Sequence, residues 1–170
     1  MSAYELPFRG TFDVAYARFL LSHLEEPLAV LKRIANSVKP GGAVVVEDVH
    51  FSGHFCFPQC NAFDQYVQFY MEAAKRKGAD PEIGPMLLSL FHEAGLVEVG
   101  FDVIQPSFNK GEGKMMAWLT LDRIKDALVE QGISSSGAIE AMLDELQTFS
   151  RDEHTIISLP RIFRVWGTVT

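Results

Sequence analysis

The sequence has little positive charge to offer: 15 lysines and arginines stand against 22 aspartates and glutamates, a formal net charge of -7. Nucleic-acid backbones and anionic membrane surfaces select basic patches, so neither is an expected partner. Cysteine is scarce. Cys56 and Cys60 lie close together and make no disulfide framework. No apolar run approaches the ~20 residues that a membrane helix needs. Met1-Ser-Ala-Tyr-Glu5 lacks the basic and apolar parts of a signal peptide. No linker rich in Pro, Gly and Ser divides the 170 residues, and no repeat or low-complexity segment stands out. These absences lead to the expectation of a cytoplasmic protein of one domain. Its 48% hydrophobic and 22% charged residues suit an ordinary globular core.

What is present is an alternation of strands and helices. Phe12-Asp-Val-Ala-Tyr-Ala-Arg-Phe19 is a short, mostly apolar run after a Gly10-Thr11 turn, and predicts a buried strand. Pro27 fits the first turn of a following helix, with Glu25 and Glu26 complementing its dipole. Leu28, Leu31, Ile34, Ala35 and Val38 recur at helical spacing until Lys39-Pro40-Gly41-Gly42 stops them. Ala43 to Val49 then predicts a second buried strand. Strand, helix, turn and strand within roughly 40 residues make the parallel βαβ unit of α/β proteins.

Further along, Phe63, Tyr66, Val67, Tyr70, Ala73 and Ala74 mark a helix, and Ile83 to Ala94 another, ended by Gly95. Val97, Val99, Phe101 and Val103 alternate with Glu98, Gly100 and Asp102, predicting a strand with one solvated face. Two helices follow, over about 114–131 and after Ser134-Ser-Ser136, and Arg161 to Val169 closes the chain as a strand.

In their order and spacing these residues resemble class I S-adenosylmethionine-dependent methyltransferases. The likeness is carried by Leu6-Pro7-Phe8, Phe12 to Arg18, Leu21-Ser22-His23-Leu24, Leu31-Lys32-Arg33 and Lys39-Pro40-Gly41-Gly42. Asp80-Pro-Glu-Ile-Gly84, Glu93-Ala-Gly95-Leu96 and Val165-Trp166-Gly167 resemble the branch that methylates small molecules. The resemblance implies an α/β, Rossmann-like methyltransferase sheet, truncated to strands four, five, seven and six of the family order and flanked by helices. It also implies a helical insertion over 108–156, before the last strand, that roofs an acceptor site. Met115, Met116 and Trp118 there suit an apolar substrate.

The family's glycine loop for the cofactor's methionine part, and its ribose-binding acidic residue, have no counterpart in these 170 residues. Gly111-Glu112-Gly113 follows a polar segment and reads as a flexible turn. The lead from Ala3 to Phe8 reads as the tail of a longer open reading frame, with Met1 an internal or misassigned start. The expectation is therefore the C-terminal part of a methyltransferase that binds no S-adenosylmethionine and catalyses nothing alone. The alternative is a non-catalytic dimeric or partner-binding domain derived from that fold. With strands one to three missing, Phe12 to Phe19 becomes an open sheet edge, and a homodimer through that edge is expected.

Carried over residue by residue, Ala3 falls at the adenine contact, and Ala17, Arg18 and Phe19 at the strand end that faces the sulfonium. Arg18 has a surface salt bridge as its other reading. Asp13 reads as structural, accepting from nearby backbone amides. His23 either orients an acceptor or caps the helix start. His50 and Phe51 reach the same edge of the sheet, and a neutral imidazole near pH 7 makes His50 the candidate general base. His50, His54, Cys56 and Cys60 are four metal-ligand types within eleven positions. All lie on one segment interleaved with Phe51, Phe55 and Phe57, a poor spacing for zinc. That segment reads better as a loop over an acceptor pocket or core, and no metal is expected.

Overall fold

A computed structural model describes residues 3–170. In chain order its elements are β1 (Phe12–Arg18), α1 (Pro27–Ser37), β2 (Val38–His50), β3 (Cys56–Phe57), α2 (Asn61–Arg76) and α3 (Leu87–Glu93). There follow β4 (Val97–Ile104), β5 (Ser107–Phe108), α4 (Met116–Glu130), α5 (Ser136–Arg151), β6 (Ile156–Ser158) and β7 (Arg161–Thr168). Where the sequence suggested one domain, the chain packs as two compact units, because its apolar stripes bury into two separate cores.

The first unit takes the chain through His50, then Gly78–Ile104 and Ile162–Thr170. Pro27 stands in the first turn of α1, and the stripe Val30, Leu31, Ile34 and Ala35 is buried. That stripe turns the chain back so that β2 runs parallel to β1, from Val14 opposite Ala43 to Arg18 opposite Glu47. The Lys39-Pro-Gly-Gly42 segment does stop the helix, but its residues already belong to β2. Gly41 sits at φ +81°, and a Cβ on Gly42 would stand 2.6 Å from the Asp13 carbonyl oxygen. Only glycine lets β1 approach that closely.

The sheet order is β1-β2-β7-β4, so the last strand lies between two earlier ones, and β7 pairs antiparallel with β4. Leu31, Val44, Val46, Leu87, Phe91 and Val165 form the centre of this core.

The expected alternation along β4 does not hold. The ladder shifts by one residue between Val97 and Gly100, and Glu98 adopts φ +52°, so a bulge moves Val97 out of step with Phe101 and Val103. The strand is also an edge of the sheet, and Val97, Phe101 and Val103 are themselves exposed.

The second unit comprises Phe51–Lys77 and Gln105–Arg161. Helices α2, α4 and α5 bury Phe63, Leu121, Leu128, Ile139 and Leu146 almost completely. Ser135 caps α5, its Oγ accepting from the Ala138 amide at 3.3 Å. A small antiparallel sheet, β3-β6-β5, was invisible in the sequence because strands of two or three residues show no period. The residues expected as a helical insertion thus share a core with α2. Lys114 is fully buried at the turn before α4, and its Nζ donates to the carbonyl oxygens of Asn109, at 2.9 Å, and Asp152. That anchorage pins the turn that holds Gly111–Gly113, which was expected to be flexible.

Candidate functional site

In an open parallel sheet, ligands collect beyond the carboxyl ends of the strands. In the first unit those ends are Arg18, on β1, and His50, on β2. Arg18 Nε lies 3.3 Å from Glu47 Oε2, and its guanidinium carbon stands 4.7 Å above the Phe19 ring. The salt-bridge reading of Arg18 is therefore realised. The same Glu47 oxygen accepts from the Tyr16 hydroxyl at 2.9 Å. Phe19 leaves the strand at φ +50°, a conformation costly for a side chain of that size, while its amide still donates to the Glu47 carbonyl at 2.9 Å.

The turn after β1 is held from beneath by Asp48. This carboxylate is fully buried and accepts from the amides of Ser22, at 3.0 Å, and Val49, at 2.9 Å. A buried carboxylate is tolerated only with such donors. His23 ends that turn with its residue exposed, while α1 begins after Glu26 without any side-chain cap. The helix-capping reading of His23 is thus not realised: the helix starts four residues later, on Pro27. Asp13 also differs from expectation. Its partner is Lys39 Nζ at 2.8 Å, and that ammonium holds its carboxyl below the ordinary value.

At the end of β2, His50 Nε2 lies 3.2 Å from Glu82 Oε2, and the imidazole meets the Phe163 ring edge-on at 6.2 Å. The segment carrying Glu82 is fixed to the β1 end, because the Asp80 amide donates to the Ser22 carbonyl at 2.8 Å. Asp80 Oδ1 in turn accepts from the Glu82 amide at 2.9 Å. Gly84 closes this arrangement, since a Cβ there would stand 2.9 Å from the Val49 carbonyl oxygen. Sequence reasoning singled out His50 but missed Glu82, although Asp80-Pro-Glu was in view. Its pairing depends on a contact 32 residues away along the chain, for which sequence carries no local signal.

Phe51 belongs to the second unit and is buried there, its ring stacked on Tyr70 at 3.8 Å. His54 Nδ1 lies 2.8 Å from the Phe51 carbonyl oxygen, and burial lowers its imidazole pKa to about 4. Burial likewise raises the Cys56 thiol and pushes Cys60 up to about 11. Cys60 Sγ donates to Glu145 Oε1 at 3.4 Å. Among the described residues no group of three or more His, Cys, Asp or Glu is placed to hold a metal. His54 packs on the aromatic core through Phe51, Phe63 and Tyr66, whereas Phe55 and Phe57 of the same loop are exposed, so the expected aromatic cover is not formed by them.

A groove of about 550 Å³ runs along the open edge of β1. It brings together three of the four positions read as cofactor contacts, Ala3, Ala17 and Arg18, with apolar neighbours that include Phe8, Phe12 and Val14. No carboxylate lines it, Tyr16 and Arg18 both engage Glu47, and Ser37 Oγ donates to the Ile34 carbonyl. Among these lining residues no side-chain carboxylate stands ready for the two ribose hydroxyls of a nucleoside cofactor.

A family model described as a methyltransferase domain matches residues 3–99. The chain is 29% identical over 102 residues to methyltransferase str3 of Strobilurus tenacellus, covering 59% of this chain and 37% of that protein. It is 23% identical over 124 residues to tRNA U34 carboxymethyltransferase of Desulfotalea psychrophila, covering 71% and 35%. The chain therefore spans little more than a third of the length of these curated relatives. Among solved structures, a Bacillus halodurans protein assigned as a methyltransferase superposes with a TM-score of 0.57 at 16% identity, covering 100% of this chain and 70% of that one. Phosphoethanolamine N-methyltransferase 2 of Haemonchus contortus, in complex with S-adenosyl-L-methionine, gives 0.51 at 17% identity, covering 99% and 36%. At such identities the likeness is one of fold, here the Rossmann-like α/β fold of methyltransferases.

Proposed function

The chain belongs to the methyltransferase domain family, and on that premise we propose that it is the C-terminal part of an S-adenosylmethionine-dependent methyltransferase acting on a small molecule. By itself it neither binds the cofactor nor transfers a methyl group. The observation that carries this reading is the lining of the β1 groove, where Ala3, Ala17 and Arg18 stand together without any carboxylate for ribose hydroxyls. When bound, the cofactor supplies an electrophilic methyl on sulfur. The chain's own share is to shape the floor beside it with Ala17, Arg18 and Phe19, and to present the acceptor side at the β2 end.

There His50 is the candidate to take a proton from the acceptor. It can do so only at Nε2, exchanging the Glu82 carboxylate 3.2 Å away for the acceptor, because Nδ1 is buried. His23, exposed in the turn after β1, is the candidate to orient the acceptor. Phe51, buried in the aromatic core, takes part only through the backbone that follows His50. The net charge of -7 favours a small acceptor over a nucleic acid. No helix among the described residues is long and apolar enough to cross a membrane.

A second reading is favoured by one observation, the uncovered β1 edge with Val14 and Tyr16 each 58% exposed. It makes the chain a dimeric or partner-binding domain built on the methyltransferase fold. Calorimetric titration of the 170-residue chain with S-adenosylmethionine tests the cofactor claim, and no heat of binding is expected up to high micromolar concentration. Low-micromolar affinity would refute it.

A further inference from the structure

Asp48 interrupts an apolar row. Every second residue of β2 turns towards the core of the first unit, and Val44, Val46 and Asp48 are all fully buried there. A third valine would fill that place at no electrostatic cost, whereas a buried carboxylate gives up its hydration. Its two oxygens are used separately. Oδ1 accepts from the amide of Val49, the residue before His50, at 2.9 Å. Oδ2 accepts from the amide of Ser22, in the turn after β1, at 3.0 Å.

The second arm continues beyond Ser22. The Ser22 carbonyl accepts from the Asp80 amide at 2.8 Å. Asp80 Oδ1 accepts from the Glu82 amide at 2.9 Å, an Asx turn that fixes where the Glu82 side chain leaves the backbone. Glu82 Oε2 then lies 3.2 Å from His50 Nε2. The circuit closes on itself. One oxygen of Asp48 holds the strand that carries His50, and the other holds, through Ser22 and Asp80, the segment that carries Glu82. Ser22, Asp48 and Ile83 are all buried, which shields these bonds from water.

We propose that Asp48 and Asp80 are positioning residues of the acceptor site. Together they hold the Glu82 carboxylate on His50 Nε2 and so govern how readily that nitrogen is released to an acceptor. Charge alone would not do this. The His50 and Glu82 side chains are 23% and 27% exposed, and a pair in such contact with water is weak unless its geometry is fixed beforehand. The Phe163 ring, edge-on to the imidazole at 6.2 Å, limits the movement of His50 from the other side.

This inference rests on the reading of His50 as the base and adds what sets its pairing. Proton NMR of the 170-residue chain, with histidine labelled in its ring nitrogens, tests it. The His50 Nε2 proton is expected as a hydrogen-bonded resonance protected from exchange with water, and Glu82→Ala, which assigns it, is expected to abolish it. Asp80→Ala keeps the backbone bond to Ser22 and removes only the acceptor of the Glu82 amide. Asp48→Asn keeps the side chain's shape but sets an NH2 group against one of the two amides, opening one arm. Each is expected to lose the His50 resonance, while those of His54, in the second unit, stay in place as a check on folding. Should Asp48→Asn not fold, Asp80→Ala decides. A purely structural Asp48 would lower the melting temperature and leave the His50 resonance unmoved, and that outcome overturns the proposal. So does a resonance that survives Asp80→Ala, or one missing from the unaltered chain. The resonance needs neither cofactor nor acceptor, so a chain that binds S-adenosylmethionine overturns the proposed function without touching this result.

Discussion

The Tyr16 hydroxyl donates to Glu47 Oε2 at 2.9 Å, joining the outer parallel strand to the next across the face of the sheet. Arg18 reaches the same oxygen at 3.3 Å. These three side chains stand where β1 and β2 approach their carboxyl ends, and they occupy the polar groups nearest to the β1 groove. A ligand entering that groove must compete for them.

The phenol of Tyr16 is held above its ordinary pKa. The hydrogen bond to Glu47 is the main cause, with partial desolvation and the carboxylate's charge adding to it. Absorbance titration of the chain, with Tyr16→Phe as the blank, is expected to show Tyr16 ionising above the usual phenol range. Glu47→Gln is expected to bring it back down. An unchanged titration in Glu47→Gln would mean that the bond is not formed in solution. Because Tyr16 itself is exposed, Tyr16→Phe is expected to leave thermal stability nearly unaltered.

Gly84 and Gly137 make a matched pair of substitutions. A Cβ at Gly84 meets the Phe163 ring at 2.8 Å and the Val49 carbonyl oxygen at 2.9 Å, whereas nothing lies within 4 Å of one at Gly137. Gly84→Ala is expected to cost about 1–3 kcal/mol through overpacking. Gly137→Ala, in the first turn of α5, is expected to be neutral or slightly stabilising. Urea denaturation of both variants checks the contrast, and equal midpoints would contradict the close packing at the end of β2.

His54 links the second unit's stability to pH. Its folded-state pKa is about 4 against an ordinary 6.5, because burial disfavours the imidazolium. Above pH 6.5 the ring is neutral in both folded and unfolded chains, and the full stability is present. As pH falls below 6.5 the unfolded chain takes up the proton while the folded one does not. Stability is then lost at up to about 1.4 kcal/mol per pH unit, until the folded-state value near pH 4 is passed. His54→Phe, which keeps a ring against Phe63 and Tyr66, is expected to flatten this slope relative to the unaltered chain. Denaturation curves at pH 7, 6 and 5 measure it, and parallel slopes would sink the assignment.

Much of the fold was legible because it is local. Pro27 and the stripe from Val30 to Ala35 specify α1, and the Gly41-Gly42 turn and the valines after it specify β2. A crossover of that length leaves a parallel pair as the natural outcome. The methyltransferase resemblance rested on the same segments, and the family match over residues 3–99 covers them. The sequence pattern failed where one residue or one partner decides the outcome. Glu98 at φ +52° breaks the apolar alternation of β4, and β3, β5 and β6 are too short to show any period.

Among the described residues β1 is an outer strand of the order β1-β2-β7-β4. Only the tertiary structure decided what stands at the strand ends. Glu82 reaches His50, Lys39 takes Asp13, Asp48 collects two amides, and Glu47 draws in both Tyr16 and Arg18. Each of these partners lies between 1 and 32 residues away along the chain, and most are more than 25. Periodicity and turn chemistry act over a few residues and so determined the elements. Charges pair with whatever the folded backbone brings within about 3 Å, and that belongs to the three-dimensional arrangement alone.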